Sequence, residues 1–156
     1  MKALVVYYSK SGNTREIGQN IAREIPCDIE EIYDTQNRSG IIGYIKSAYQ
    51  ANRGKLTTIK PMEKDPTNYD IVIIGTPVWA SRPAVAVTTY LTENKDKFKD
   101  VAFFVTYGGS GFKKTIQTME TIIGTKPVQT MGIRAKEIEN KTCDCKIDPF
   151  VRDIGN

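Results

Sequence analysis

The sequence predicts a single α/β domain over residues 1–156, built on a doubly wound parallel sheet of five strands with helices on both faces. Two observations support this prediction. Apolar runs without polar alternation recur along the chain, and between them the apolar residues are spaced as on amphipathic helices. Strands that alternate with helices form parallel sheets, and right-handed crossovers place the helices on both faces.

Three of the strands are predicted from continuous apolar runs, a pattern that suits strands covered on both faces. They comprise residues 3–8, 71–74 and 101–105. Weaker patterns predict a second strand at 28–32 and a fifth at 128–133. The fifth alternates between apolar and polar residues, so we expect it at an edge of the sheet with one wet face.

The segments between these strands carry apolar residues at helical spacing, which predicts helices that pack on the sheet. The marker residues are Ile17, Ile21 and Ile25, then Val87 and Leu91 after Pro83, then Phe112, Ile116, Met119 and Ile123 before Gly124. A further helix is predicted over residues 39–55, and a short last one over 148–154. The loops after the first, third and fourth strands should then meet at the carboxyl edge of the sheet.

Composition narrows the range of functions. No apolar run approaches the length of a membrane span, and the residues after Met1 read as a strand instead of a signal peptide, so we expect a cytoplasmic protein. With no histidine, a zinc site and imidazole catalysis are not expected. The net charge of +4 is scattered among acids, which does not favour nucleic-acid binding. Cys143 and Cys145 are predicted to be inert surface thiols.

A hydroxyl-rich turn joins the first strand to the first helix. It reads Ser9, Lys10, Ser11, Gly12, Asn13 and Thr14. The first N–H groups of a helix have no partners of their own and attract anions, and glycine lets the backbone approach closely. Lys10 either contacts such an anion or extends into water. The turn lacks the glycine patterns of nucleoside triphosphate and dinucleotide loops.

Phosphatase chemistry is one alternative for this turn, because Ser9 and Arg15 have the Cys-x5-Arg spacing of small tyrosine phosphatases. That reaction needs a thiolate with a low pKa as nucleophile, and the chain offers a serine with no histidine to activate it. The turn is therefore predicted to hold a terminal phosphate permanently without attacking it.

The sequence resembles the flavodoxin family, of the short-chain type. The family's first loop is Ser/Thr-x-Ser/Thr-Gly-Asn-Thr, and the turn described above matches it. Two further segments carry the resemblance, GTPVWASRP at 75–83 and TYGGSGF at 106–112, which correspond to the loops that enclose the flavin ring. The resemblance implies the strand order 2-1-3-4-5 and one non-covalently bound FMN.

In the loop after the third strand, the resemblance implies five cofactor contacts. Trp79, the only tryptophan, is expected to stack on the flavin ring. Pro77 and Val78 stiffen the approach, and Thr76 either bonds the cofactor or caps its strand. Ala80 occupies the position whose peptide reorients in the family, and a left-handed backbone there costs about 1 kcal/mol more than in glycine.

In the loop after the fourth strand, Thr106 likewise either bonds the cofactor or caps its strand. Tyr107 is the candidate second aromatic for the ring, although its place directly after the strand also allows it to point elsewhere. The resemblance implies that three glycines bring backbone N–H groups close to the pyrimidine end of the ring, namely Gly108, Gly109 and Gly111.

Two functions remain open. The first is an electron carrier that works between redox proteins, which we expect to present acidic docking faces because this chain is basic. The second is an NAD(P)H-dependent quinone or flavin reductase, in which the helix around residues 41–53 would wall a substrate pocket. The sequence shows neither a nicotinamide fingerprint nor an acid or base assignable to catalysis, which favours the carrier.

Overall fold

The computed structural model describes residues 1–36 and 56–155. Its strands are β1 (Ala3–Tyr7), β2 (Cys27–Glu31), β3 (Ile71–Trp79), β4 (Arg82–Pro83), β5 (Asp100–Tyr107) and β6 (Gln129–Arg134). Five of them form a parallel sheet in the order β2-β1-β3-β5-β6, and β4 pairs with β3 outside that path. Counted without β4, this is the predicted order 2-1-3-4-5, so the fold class is confirmed.

The described helices follow the strands in turn. They are α1 (Asn13–Glu24), α2 (Val85–Asn94), α3 (Phe112–Ile123), α4 (Ala135–Glu139) and α5 (Asp144–Gly155), with a 3-10 turn at Pro66–Asn68. The last helix begins four residues before the predicted one. The helix predicted over 39–55 lies outside the described residues. No helix within the described ranges is long and apolar enough to cross a membrane.

The continuous apolar runs are explained by two separate cores. On β1, Leu4 and Val6 belong to one core, whereas Val5 and Tyr7 belong to the other. Residues of α2 and α3 complete the first core, and residues of α1 and α5 complete the second. Successive side chains of a strand point to opposite faces, so a strand covered on both faces needs an apolar residue at every position.

The edge strand β6 behaves as its alternation predicts. Met131 and Ile133 are buried, while their neighbours in the strand are half-buried or exposed. Only one face of this strand is fully covered, which confirms its predicted place at an edge of the sheet.

One hairpin was not predicted. Instead of ending at Ile74 as predicted, β3 continues to Trp79, which pairs with Arg82 of β4 in an antiparallel register. The turn residues Ala80 and Ser81 have φ values of 49° and 60°. A two-residue loop with both residues left-handed has a backbone twist that matches the twist of the two antiparallel strands. The left-handed conformation costs roughly 1 kcal/mol for each residue that is not glycine.

The predicted surface position of Cys143 is wrong. Its side chain is buried in the second core directly before α5, and burial raises the pKa of its thiol. Because α5 starts earlier than predicted, Cys143 directly precedes its first turn and packs in the second core. Cys145 is exposed, as expected.

Candidate functional site

The hydroxyl-rich turn ends at the N terminus of α1, where Gly12 is the N-cap residue. Gly12 has φ 102° and ψ −17°, and no side chain caps this end of the helix. Its N–H group donates to Ser9 Oγ at 3.1 Å, which holds the turn in shape. A Cβ at position 12 would meet no atom within 4 Å. The start of α1 therefore leaves its first backbone N–H groups without a side-chain cap beside open space, as an anion site requires.

Two of the predicted site residues meet beneath this turn. The hydroxyl groups of Thr14 and Thr106 lie 2.8 Å apart, and both side chains are buried. One hydroxyl donates in this pair, and the accepting hydroxyl keeps its own proton for another partner. The contact ties the first turn of α1 to the end of β5, so the turn and the loop after β5 share a rigid base.

Thr76 has a different environment. Its hydroxyl donates to Pro77 O at 2.8 Å and accepts from Ala84 N at 2.9 Å, and its side chain is fully buried. These bonds hold the hairpin against the start of α2. Of the two roles that the sequence left open for Thr76, the structure displays the structural one, and its role as a ligand stays a prediction.

The loops after β3 and β5 touch each other at Gly111. Gly111 has φ 96°, and a Cβ there would lie 2.8 Å from Val78 Cγ1 and 3.2 Å from Ser81 Cα. Both the backbone angle and the contact require glycine. Gly108 and Gly109 are exposed, and a Cβ at either position would meet nothing within 4 Å. The two loops thus form one interlocked unit beside open space.

Trp79 is largely buried in this conformation, with 8% of its surface exposed. The Tyr8 ring meets it edge to face at 5.4 Å between centroids. Lys10 Nζ lies 5.9 Å from the centroid of the Trp79 ring. Because so little of the indole is exposed, stacking on a flavin requires either this ring or the groups that cover it to move.

Tyr107 contacts residues other than the hairpin. Its ring stacks on Phe112 at 5.8 Å with an interplanar angle of 19°. The Arg134 guanidinium lies 6.0 Å from the same ring, because Arg134 is the register partner of Tyr107 on β6. Tyr107 therefore packs against Phe112 and Arg134 in this structure, and its role as the second aromatic on the ring stays a prediction.

Arg15, in the first turn of α1, pairs with Glu31 at the end of β2. Its Nε and Nη2 atoms lie 3.0 and 2.7 Å from the two carboxylate oxygens. This bidentate bond raises the pKa of Arg15 above its usual value, while burial is the main cause of the raised pKa of Tyr7 beside it. The pair anchors the first turn of α1, next to the hydroxyl-rich turn, to the end of β2.

Sequence reasoning missed three residues that shape this site, namely Tyr8, Ser81 and Phe112. Tyr8 could have been found, because it continues the face of β1 that Leu4 and Val6 begin. Phe112 was assigned only to the helix core, and no sequence signal marks the backbone of Ser81. Among the described residues, no group of three cysteine, aspartate or glutamate side chains could hold a metal ion.

Comparisons with known proteins agree on the fold. A family model described as Flavodoxin matches residues 2–140. The crystal structure of a flavoprotein from Lactobacillus acidophilus NCFM in complex with FMN superposes with a TM-score of 0.75 at 27% identity, and covers 89% of this chain and 97% of that chain. The apo form of the flavoprotein from that organism, determined by NMR, gives 0.68 at 27% identity, with coverages of 88% and 95%.

A flavodoxin from Streptococcus pneumonia TIGR4 gives a TM-score of 0.59 at 16% identity, over 99% of this chain and 98% of that one. At that identity the likeness concerns the fold alone. No curated protein sequence matches the chain.

Proposed function

The chain belongs to the flavodoxin family, and from that premise we propose that it binds one FMN and carries electrons between redox proteins. The observation that carries the proposal is the uncapped N terminus of α1, where left-handed Gly12 opens the backbone N–H groups to an anion. The relative from Lactobacillus acidophilus, at 27% identity, was crystallised with FMN. Bound FMN would supply the electron transfer itself, and the protein would supply binding, orientation and electrostatics.

The phosphate would bind at the hydroxyl-rich turn. Ser11 is exposed there, and the N–H groups of the first turn of α1 point into the same space. When Thr106 donates its proton to Thr14, the hydroxyl of Thr14 is left to donate to a phosphate oxygen. Thr106 is therefore a positioning residue, and its effect on the cofactor passes through Thr14.

The flavin ring would occupy the space beside the interlocked loops. Exposed Gly108 and Gly109 offer backbone N–H groups without side chains in the way. Trp79 would turn from its buried position toward the ring. That movement separates it from the edge of Tyr8, and stacking on the ring replaces the lost contact.

A comparison of FMN with riboflavin tests the phosphate assignment. Ser11→Ala removes a hydrogen bond to a charged group, which contributes on the order of 1.5 to 3 kcal/mol, so FMN affinity should fall about 10- to 100-fold. Riboflavin has no phosphate, and its affinity should be unchanged. Thr118→Ala is the matched control, because that hydroxyl bonds its own helix at Lys114 O. Equal losses for both flavins would refute the assignment.

The partners would be redox proteins, and we place the exchange in the cytoplasm. The three cysteines, Cys27, Cys143 and Cys145, are free thiols, which suits a reducing compartment. Electron exchange between proteins requires the ring edge to come close to the partner, so the loops after β3 and β5 would lie in the contact.

A reductase is the second candidate, and the position of Tyr107 favours it. A Tyr107 ring that keeps its stack on Phe112 when FMN binds would leave one side of the flavin open to a small substrate. Mixing the yellow holoprotein with NADPH and a quinone separates the two functions. Rapid bleaching with many turnovers would favour the reductase, and bleaching only by a separate reductase protein would favour the carrier.

A further inference from the structure

Among the described residues, a local surplus of cationic side chains lies beside the loops after β3 and β5. The chain has 22 cationic and 18 acidic side chains, and four of the cations but none of the acids fall in residues 37–55. The described residues therefore carry 18 of each and have no net charge. A local surplus of cations on these residues therefore means that cationic and acidic side chains lie on different parts of the surface, because the described residues as a whole are not basic.

Such a surplus occurs on three segments at the carboxyl edge of the sheet, residues 78–84, 107–114 and 134–137. Their five cations form what is here called the basic edge: Arg82, Lys113, Lys114, Arg134 and Lys136. The same segments contain one carboxylate, that of Glu137. It accepts bonds from Lys146 Nζ at 2.7 Å and from Arg134 N at 2.7 Å, so Lys146 already neutralises it.

The other half of the carboxyl edge is different. Residues 8–16 and 31–36 hold two cations, Lys10 and Arg15, and three acids, Glu16, Glu31 and Asp34. Arg15 and Glu31 are paired with each other. Within residues 1–36 and 56–155, the basic edge lies on the side of the sheet that β3, β5 and β6 form, next to the exposed glycines 108 and 109.

Two lysines of the basic edge destabilise α3, the helix on which they lie. Lys113 and Lys114 are exposed in the first turn of α3, which contains no acid and has no side-chain cap. The macrodipole of a helix makes its N terminus positive, so acids are favoured in that turn and lysines are disfavoured. Fold stability does not explain these two lysines, whereas an anionic partner at this end of α3 would.

Aromatic groups fix the geometry of the surface. Arg134 is held over the Tyr107 ring, and Tyr107 is stacked on Phe112, the first residue of α3. Lys136 shares with Tyr107 and Arg134 a cavity of about 370 Å³. Arg82 is the register partner of Trp79 in the hairpin. All five cations therefore sit on or beside the loops that would hold the flavin ring.

We propose that the basic edge is the docking site for the redox partner, and that the partner is a protein with a carboxylate-rich face around its own redox centre. This inference rests on the proposed electron transfer through FMN. Complementary charge would steer the partner toward the ring edge and orient it there. Arginine, tyrosine and phenylalanine beside exposed glycines form a compact mixed patch, which suits a protein better than the long cationic track that a nucleic-acid backbone follows.

Two haem proteins of opposite surface charge test the inference, acidic cytochrome b5 and basic cytochrome c. The holoprotein is reduced with a stoichiometric amount of dithionite, and each bimolecular rate is followed as one electron passes to ferric haem, which becomes ferrous. The acidic protein should react faster at low salt, and its rate should fall about tenfold or more as salt screens the charges. The rate with the basic protein should rise with salt.

The variant Lys113→Glu/Lys114→Glu should lose about tenfold in rate with the acidic protein at low salt and gain with the basic one. Lys95→Glu/Lys97→Glu is the matched control, because it changes the net charge equally on two exposed lysines at the opposite edge of the sheet. At about 0.1 M salt, where the Debye length is about 10 Å, it should leave both rates within about twofold, because charges at the opposite edge of the sheet are screened from the docking site.

Four outcomes would overturn the inference. Equal effects of the two double variants would mean that only net charge matters. Unchanged rates, together with loss of duplex DNA binding at physiological salt in the basic-edge variant, would assign the surface to nucleic acid. If the chain binds no FMN, the proposed function fails and the inference fails with it. If FMN binds normally and a small quinone oxidises the holoprotein normally, but the two haem proteins react equally, only the docking site is refuted.

Discussion

At the scale of single residues, the hairpin turn shows strain that a substitution can release. Ala80 has φ 49° without being glycine. Ala80→Gly should raise the free energy of unfolding by about 0.5 to 1 kcal/mol, because relief of the left-handed strain exceeds the added entropy of the unfolded chain. Chemical denaturation measures this value.

The same substitution in a helix provides the control. Ala22 lies inside α1, where glycine costs about 1 kcal/mol, so Ala22→Gly should destabilise the protein. If Ala80→Gly were destabilising as well, the turn would not hold a left-handed alanine in solution.

Gly111 allows a second residue-scale prediction. Gly111→Ala combines a φ of 96° with a Cβ only 2.8 Å from Val78 Cγ1, and it should destabilise the protein by about 2 kcal/mol or more. Gly109→Ala, which faces open space, should change the thermal midpoint of the cofactor-free protein very little. Similar midpoints for the two variants would show that the loops are not interlocked.

At the scale of elements, the sheet could be predicted from the sequence because strands and helix ends are each marked by residues that are close together in the chain. Central strands must be apolar at every position, and α3 ends at Gly124, whose φ of 75° suits glycine. The hairpin was missed because its two turn residues, Ala80 and Ser81, carry no glycine or asparagine signal. The contact between Thr14 and Thr106 spans 92 residues, so only the folded sheet could reveal it.

The first turn of α3 gives a prediction about stability. Lys113→Glu/Lys114→Glu should raise the free energy of unfolding by about 1 kcal/mol at low salt, because acids interact favourably with the helix N terminus. Lys95→Glu, at the C-cap of α2, should act in the opposite direction. Both effects should shrink in 0.5 M salt, roughly as a Debye length of a few ångströms requires, and effects that persist at high salt would rule out the dipole explanation.

The short helix α4 gives a prediction about pH. A hydrogen bond from Lys146 is the main cause that lowers the pKa of Glu137, and the backbone N–H of Arg134 adds to it. A depressed folded-state pKa contributes stability above the unfolded value of about 4.3, and this contribution is lost as pH falls through the folded value.

Glu137→Gln should therefore lower the free energy of unfolding at pH 7 by about 1 kcal/mol, reduced by partial exposure of the pair. The free energies of unfolding of the variant and the parent should converge at the pH at which Glu137 is protonated in both the folded and the unfolded parent. Glu139→Gln, exposed on the same helix, should differ little from the parent at any pH. A constant difference from pH 7 to pH 3 would mean that the carboxylate charge plays no part.

At the scale of the whole molecule, cofactor binding should stabilise the fold by mass action. FMN at about 100 times its dissociation constant should add about 2.7 kcal/mol to the free energy of unfolding. Trp79 is the only tryptophan and is nearly buried, so its fluorescence should change over the same range of FMN concentrations as it moves onto the ring. Stabilisation without any change in emission would place the ring away from Trp79.

The interlock at Gly111 also bears on how such proteins can be redesigned. Because the loop after β5 passes within contact distance of Val78 and Ser81, neither loop has a shape of its own that could be transplanted separately. A designer who wished to install the ring environment of another family member would have to exchange both loops together, as one module with a shared glycine. The same constraint would act during evolution, so substitutions in residues 78–81 should be accompanied by substitutions in residues 107–111.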